Sequence, residues 1–157
     1  MRDRQLIAAY RRGIDADEYV AIRELYKAHS TAEDARDVPG LLATLTPDCA
    51  YEIAGTDHRW TGHAGAAAFY QGLLGAFPDI SFHLRNIVIG PQGVWEEADV
   101  RGTWTRPWLG SEHSGAPMQF GVQILFPWDP DARLFRGERV FVDTDVLLTR
   151  RGAARPG

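Results

Sequence analysis

The stretch WTGHAGAAAFYQGLLGAFPD, Trp60 to Asp79, decides the architecture. Its apolar residues Ala66, Phe69, Tyr70, Leu73, Leu74 and Phe77 recur at the i, i+3, i+4 spacing of one helical face. Thr61 has the side chain of an N-cap, Gly62 and Gly65 crowd the start, and Pro78 cannot continue the helix. The spacing therefore predicts a helix over 62–77. Everything downstream alternates like β-structure. A helix laid across a curved sheet leaves a dead-end cavity, so this stretch bears on function as well as fold.

Upstream, residues 3–12 predict a short helix with Leu6, Ile7 and Tyr10 on one side and Gly13 as its stop. Asp15 and Glu18 have the spacing of a capping box and start a second helix, with Tyr19, Ile22, Leu25, Tyr26 and His29 as its inward face. A third helix is expected over 38–45, entered through Asp37 and Pro39 and ended at Pro47. The first strand covers 49–54, with Tyr51 and Ile53 on one face and Ala50, Glu52 and Ala54 on the other.

Four further strands are expected at about 80–89, 94–105, 119–128 and 134–143. Gly90-Pro-Gln-Gly93 joins the first two, Asp129-Pro-Asp-Ala132 the last two, and the longer loop 107–118, PWLGSEHSGAPM, the middle pair. The order predicts a single α+β domain over 1–150. The tail 151–157 has nothing to bury and is expected to be disordered. Helices on one side of a strongly bent sheet make a cone whose mouth admits a small molecule.

Composition excludes several roles. The 157 residues suit one domain with a real core, and 45% are hydrophobic and 24% charged. Net charge is −4 and lysine occurs once, so no cationic stripe marks a nucleic-acid partner. Cys49 is the sole cysteine, which leaves no disulfide within the chain and no cysteine metal site. No apolar run approaches the roughly 20 residues of a membrane span. The start, MRDRQLIAAYRRG, does not read as a secretory signal, and a cytoplasmic location is the expectation. Five tryptophans and an 11% aromatic share suit a lined pocket or a filled core.

Thr46-Pro47-Asp48 before the first strand, Trp60-Thr61-Gly62 before the long helix and Ala76-Phe77-Pro78-Asp79 after it form an ordered set, continued by Gly102-Thr103-Trp104 and by Glu138-Arg139-Val140-Phe141-Val142-Asp143. In this order the chain resembles the nuclear transport factor 2-like superfamily over about residues 17–150, most closely its SnoaL-like polyketide cyclase and ketosteroid isomerase-like branch. The resemblance implies a cone-shaped half-barrel, a bent and mostly antiparallel sheet carrying three to four helices (a cystatin-like α+β roll). It also implies a homodimer and an apolar pocket with a few acid–base groups, working without cofactor or metal. It does not imply one reaction, since relatives include cyclases, isomerases, dehydratases, epoxide hydrolases and proteins that only bind.

Carried over by position, Tyr26 and Tyr70 match tyrosines of the isomerase network, and both fall on the apolar face of their helix. The family's acids fall on apolar residues here: the isomerase base near Ile53, the second oxyanion donor near Val122, the cyclase carboxylate near Val140. Glu52 has the wrong parity and should face outward.

Glu138 remains. It shares parity with Val140 and Val142, and a carboxylate on an apolar wall suits a general acid or base, although near a strand start it could also reach solvent or pair with arginine. Tyr51 joins Tyr26 as an orienting donor. His58, ahead of the long helix, and His113, in loop 107–118, are reserve candidates. His63 reads as a first-turn helix residue, His83 as a strand residue, and His29, at the end of its helix, as a buried, satisfied side chain or a charge at the helix C-terminus. Trp60, Phe69, Tyr70, Phe77, Trp104, Val122, Ile124 and Val140 are the expected substrate-binding wall. The charged alternation Glu97, Asp99, Arg101 and Thr103 is expected to face outward, because Val100 and Trp104 want the interior. Two functions stay open: cofactor-free acid–base chemistry on a hydrophobic, carbonyl-bearing metabolite, and ligand binding without catalysis.

Overall fold

The computed structural model describes residues 4–143, without the side chains of Gln5 and Leu6. The tail 151–157 and the expected role of Leu6 lie outside the described residues. Three helices come first: α1 (Arg4–Arg11), α2 (Ala16–Asp34) and α3 (Val38–Leu42). Strands β1 (Leu45–Ile53) and β2 (Arg59–Thr61) precede α4 (Gly62–Ala76), and β3 (Ser81–Gly90), β4 (Gly93–Thr103), β5 (Pro117–Asp129) and β6 (Leu134–Val142) follow.

The six strands form one open sheet in the order β2-β1-β6-β5-β4-β3. Every pair is antiparallel except β1 with β6, because the chain returns through α4 and the meander to lay its last strand beside its first. Helices α2 and α4 cover the inner face. Ala66, Phe69, Tyr70 and Leu73 of α4 and Ile22 of α2 pack there with Tyr51, Val94, Val100, Val122, Ile124, Phe126 and Phe135. The outward residues of β4 behave as their alternation predicts: Glu97 and Arg101 are exposed, and Asp99 pairs with Arg85 at 3.2 Å. Glu52 also faces out, held at 2.8 Å by both Arg59 and Arg139.

Four local expectations are corrected. Tyr19 is 41% exposed and Tyr10 82% exposed, so neither faces the core. The buried stripe of α2 is Glu18, Ile22, His29 and Ala32, set one residue back from the expected start. Asp15 does cap the helix, accepting from the Glu18 N–H at 2.6 Å, but Glu18 pairs with Arg12 and accepts from the Trp128 indole at 2.9 Å. α3 ends at Leu42, and Pro47 lies inside β1, where the register to β6 is irregular between Leu45 and Ala50 and a missing N–H is tolerated. Thr61 occupies the N-cap position of α4 without a side-chain capping bond. The short strand β2 has too little alternation to be read from sequence.

No helix among the described residues is long and apolar enough to cross a membrane.

Candidate acid–base site

Gly137 is where the site begins. Its φ is +111°, and a Cβ there would lie 2.0 Å from the Ala50 carbonyl oxygen, so only glycine lets β6 approach β1 this closely. The register pairs Ala50 with Gly137 and Tyr51 with Glu138. Tyr51 and Glu138 therefore stand side by side on the inner face, at 0% and 4% exposure. α2 lowers His29 onto them and α4 brings Tyr70, each 1% exposed.

The four side chains form one hydrogen-bonded chain. The Tyr70 hydroxyl donates to Glu138 Oε1 at 2.6 Å, and its oxygen lies 3.2 Å from the Tyr51 hydroxyl. With Tyr70's hydrogen committed, Tyr51 is the donor to Tyr70. His29 Nε2 lies 2.9 Å from Glu138 Oε1 and 3.1 Å from the Tyr70 oxygen, and its Nδ1 lies 2.6 Å from Thr44 Oγ1. Thr44 spends its hydrogen on the Leu41 carbonyl at 2.6 Å, so it can only accept from His29. The Nδ1 position thus carries a hydrogen, and Nε2 faces Glu138 Oε1 and the Tyr70 hydroxyl inside a nearly dry interior. Among the described residues, the bonds from His29 and Tyr70 both fall on Oε1, and Tyr51 also acts on the carboxyl.

Glu138 also lines a narrow cavity of about 40 Å³. Its walls are apolar, with Ile53, Phe69, Phe82, Trp108, Val122 and Val140 prominent, and its ionisable lining residues are Glu33 and Glu138. A second, more polar hollow lies alongside, lined by Tyr26, His29, Glu96 and Phe126 among others, and Glu33 and Phe82 border both spaces. There the Tyr26 hydroxyl bonds Glu96 Oε2.

Burial and neighbouring negative charge shape the titration of these groups. Burial, with the Tyr26 bond and the His29 charge opposing it and Glu138 reinforcing it, raises the Glu96 carboxyl to about 7. Burial and then the Glu138 and Glu96 charges hold the Glu33 carboxyl well above the carboxylate range. The phenols of Tyr26, Tyr51 and Tyr70 are pushed up by burial first, Tyr26 next by its Glu96 bond and the other two by the Glu138 charge. All three stay hydrogen-bond donors at neutral pH.

The expected site residues divide into groups. Glu138, Tyr51 and Tyr70 come together, and Tyr26 sits next to them on Glu96. Phe69, Val122, Ile124 and Val140 line the cavity. Trp60 packs edge-on to Phe69 at 5.0 Å, behind the wall and not in it, and His58 stacks on Trp60 at 6.1 Å, clear of the cluster. Phe77 and Trp104 stack at 5.8 Å on each other, outside the lining. His113 is exposed on its loop.

Sequence reasoning missed Glu33, Glu96, Thr44 and Trp108 and placed His29 as a bystander. Glu33 follows His29 by four residues and Glu96 shares the inner parity of Ala98 and Val100, so both signals were present. Among the described residues no three His, Cys, Asp or Glu side chains are grouped to hold a metal ion.

Comparison with known proteins agrees with this architecture. A sequence model of the SnoaL-like domain matches residues 22–136. A search of curated proteins found no match. Among solved structures, a candidate SnoaL-like polyketide cyclase from Jannaschia sp. CCS1 superposes with a TM-score of 0.77 at 18% identity, over 92% of this chain and 100% of that one. AclR, a candidate hydroxylase from Streptomyces galilaeus, gives 0.67 at 17% identity over 87% and 99% of the two chains. An epoxide hydrolase of the LEH-like type from M. tuberculosis gives 0.63 at 19% identity over 81% and 86%. At these identities the likeness is one of fold.

Proposed function

The chain belongs to the SnoaL-like domain family, and on that premise we propose that it is an enzyme of cofactor-free acid–base chemistry acting on a hydrophobic, carbonyl-bearing small molecule. The observation that carries this reading is Glu138: a carboxyl at the wall of an apolar cavity, fixed through Oε1 by His29 and Tyr70. A group so placed removes a proton beside a ligand carbonyl. The hydrogen bonds on Oε1 hold its geometry while its charge changes. Cyclisation, isomerisation and dehydration all begin from that step. Among the described residues neither lysine nor arginine lines the cavity, which suits a ligand that is uncharged where it meets this wall.

A second reading, binding without turnover, draws on one observation: Ile53, Val122 and Val140, the positions of the family's acids, all line the cavity as hydrocarbon. One experiment separates the two. A bicyclic aryl ketone such as tetralone is incubated with the protein in deuterium oxide, and label entering beside the carbonyl is followed by mass spectrometry. Protein-dependent exchange that falls at least tenfold in Glu138→Gln supports the enzyme; binding with exchange no faster than in buffer leaves a binder.

A further inference from the structure

Glu33 is the other ionisable residue at the apolar cavity. It lies on α2 four residues beyond His29, hence on the same helical face one turn on, at the border between the cavity and the hollow of Tyr26 and Glu96. Glu18, Glu96 and Glu138 each have a hydrogen-bond partner; no hydrogen bond among the described residues reaches the Glu33 carboxyl. Its electrostatic neighbours are the carboxyls of Glu138, Glu96 and Asp34, against the guanidinium of Arg36, which is exposed and donates to the Ile80 carbonyl at 2.7 Å. A carboxyl facing hydrocarbon among like charges keeps its proton. It then has an O–H with no protein acceptor among the described residues, and because Glu33 is only partly buried a ligand oxygen takes the place of water there.

We propose that Glu33 is the second acid–base group of this site, presenting its carboxyl O–H to the carbonyl oxygen of a ligand whose adjacent C–H faces Glu138. This rests on the reading of the cavity as a ligand site and names what that site recognises: an uncharged ligand with one acceptor oxygen at the end of an apolar body. In the step it serves, the C–H bond breaks and its proton passes to Glu138. The electron pair forms the carbon–carbon double bond, and the carbonyl oxygen takes the hydrogen of Glu33 as its charge develops. Reversal returns both protons. Burial, the leading cause of the raised Glu33 carboxyl, keeps the donor in place at neutral pH.

The test uses two ligands of one shape, an acetylnaphthalene and the isopropylnaphthalene of the same substitution, which differ in the acceptor oxygen. Their dissociation constants are measured by calorimetry for the wild type, Glu33→Leu and Glu33→Gln. The ketone-to-alkyl affinity ratio is expected to fall about tenfold in Glu33→Leu, with the alkyl ligand bound at least as well as before. It should stay within about threefold in Glu33→Gln, whose amide still donates. A ratio unchanged in Glu33→Leu overturns the assignment. In the wild type itself, the infrared carbonyl stretch of the bound ketone should move to lower frequency than in hydrocarbon solvent, and an unmoved band overturns the assignment even where a variant does not fold. If neither ligand binds the wild type, the cavity reading fails first, and this inference with it.

Discussion

Replacing Glu96 by glutamine should make the protein more stable at alkaline pH. Glu96 is 7% exposed on the inner face of β4, and burial is the main reason its carboxyl rises from 4.5 to about 7. In the unfolded chain the group ionises near 4.5, so between these values the native state holds a proton that the unfolded state has released. Binding more protons when folded means that stability declines as pH rises through this window. The stabilising contribution is complete below the unfolded value and gone above the folded one. At about 1.36 kcal/mol per unit, the full window is worth on the order of 3 kcal/mol, and about 2–3 kcal/mol of it falls between about pH 5 and about pH 8. Glutamine is nearly isosteric and still accepts the Tyr26 hydrogen bond, so the variant loses the titration and keeps the contact. Glu33 shifts in the same direction but is present in both proteins, so its slope largely cancels from the difference. Urea unfolding followed by tryptophan fluorescence and extrapolated to water at each pH measures the effect. The wild type should lose about 2–3 kcal/mol more than Glu96→Gln across that range. Parallel curves would refute the placement of Glu96 as a buried carboxyl in a polar hollow.

Gly137→Ala should cost more than about 3 kcal/mol or abolish soluble expression, since its Cβ would meet the Ala50 carbonyl oxygen at 2.0 Å. Gly121→Ala, with nothing within 4 Å of the added Cβ, is the near-neutral control in the same thermal melt. Tyr70→Phe removes the donor to Glu138 and the acceptor of Tyr51 and should cost about 2–3 kcal/mol, whereas Tyr51→Phe removes the end of the chain and should cost about 1 kcal/mol. Denaturant titrations giving the reverse order would mean that the hydroxyls point the other way. Trp128→Phe deletes the indole bond to Glu18 but leaves its Arg12 pair, and should lower stability by about 1–2 kcal/mol in the same assay.

The fold was legible because its signals are local and repeated. The α4 stripe, the Gly90–Gly93 turn and the inward parity of Tyr51, Ile53 and Val100 each follow from a period that the chain states several times. The site was legible only in part, for a physical reason. Its members come from α2, β1, α4, β4 and β6, and no period in one element reports on another. Glu138 could be found because parity with Val140 and Val142 set it on the apolar wall. Glu96 obeys the same rule with Ala98 and Val100, yet the charged run Glu96-Glu97 hides which glutamate keeps the inner parity. On α2 the inward face was expected to open at Tyr19, whereas it begins at Glu18, which Arg12 and Trp128 hold against the sheet.

The three apolar residues at the family's acid positions acquire a different meaning once the cluster is in view. Ile53, Val122 and Val140 do not leave the cavity without titratable groups; they surround Glu138, which stands two residues before Val140 on the same face of β6. The partner that orients Glu138 comes from the helix side, as His29, and its tyrosines come from β1 and α4. The buried polar cluster thus sits at the seam between α2 and β6. Hydrocarbon at Ile53, Val122 and Val140 lowers the polarity around Glu138. Low polarity strengthens each hydrogen bond in the cluster and raises the cost of any unpaired charge there. His29 and Tyr70 hold Glu138 from the helix side, so this interior buries its carboxyl with partners and not alone.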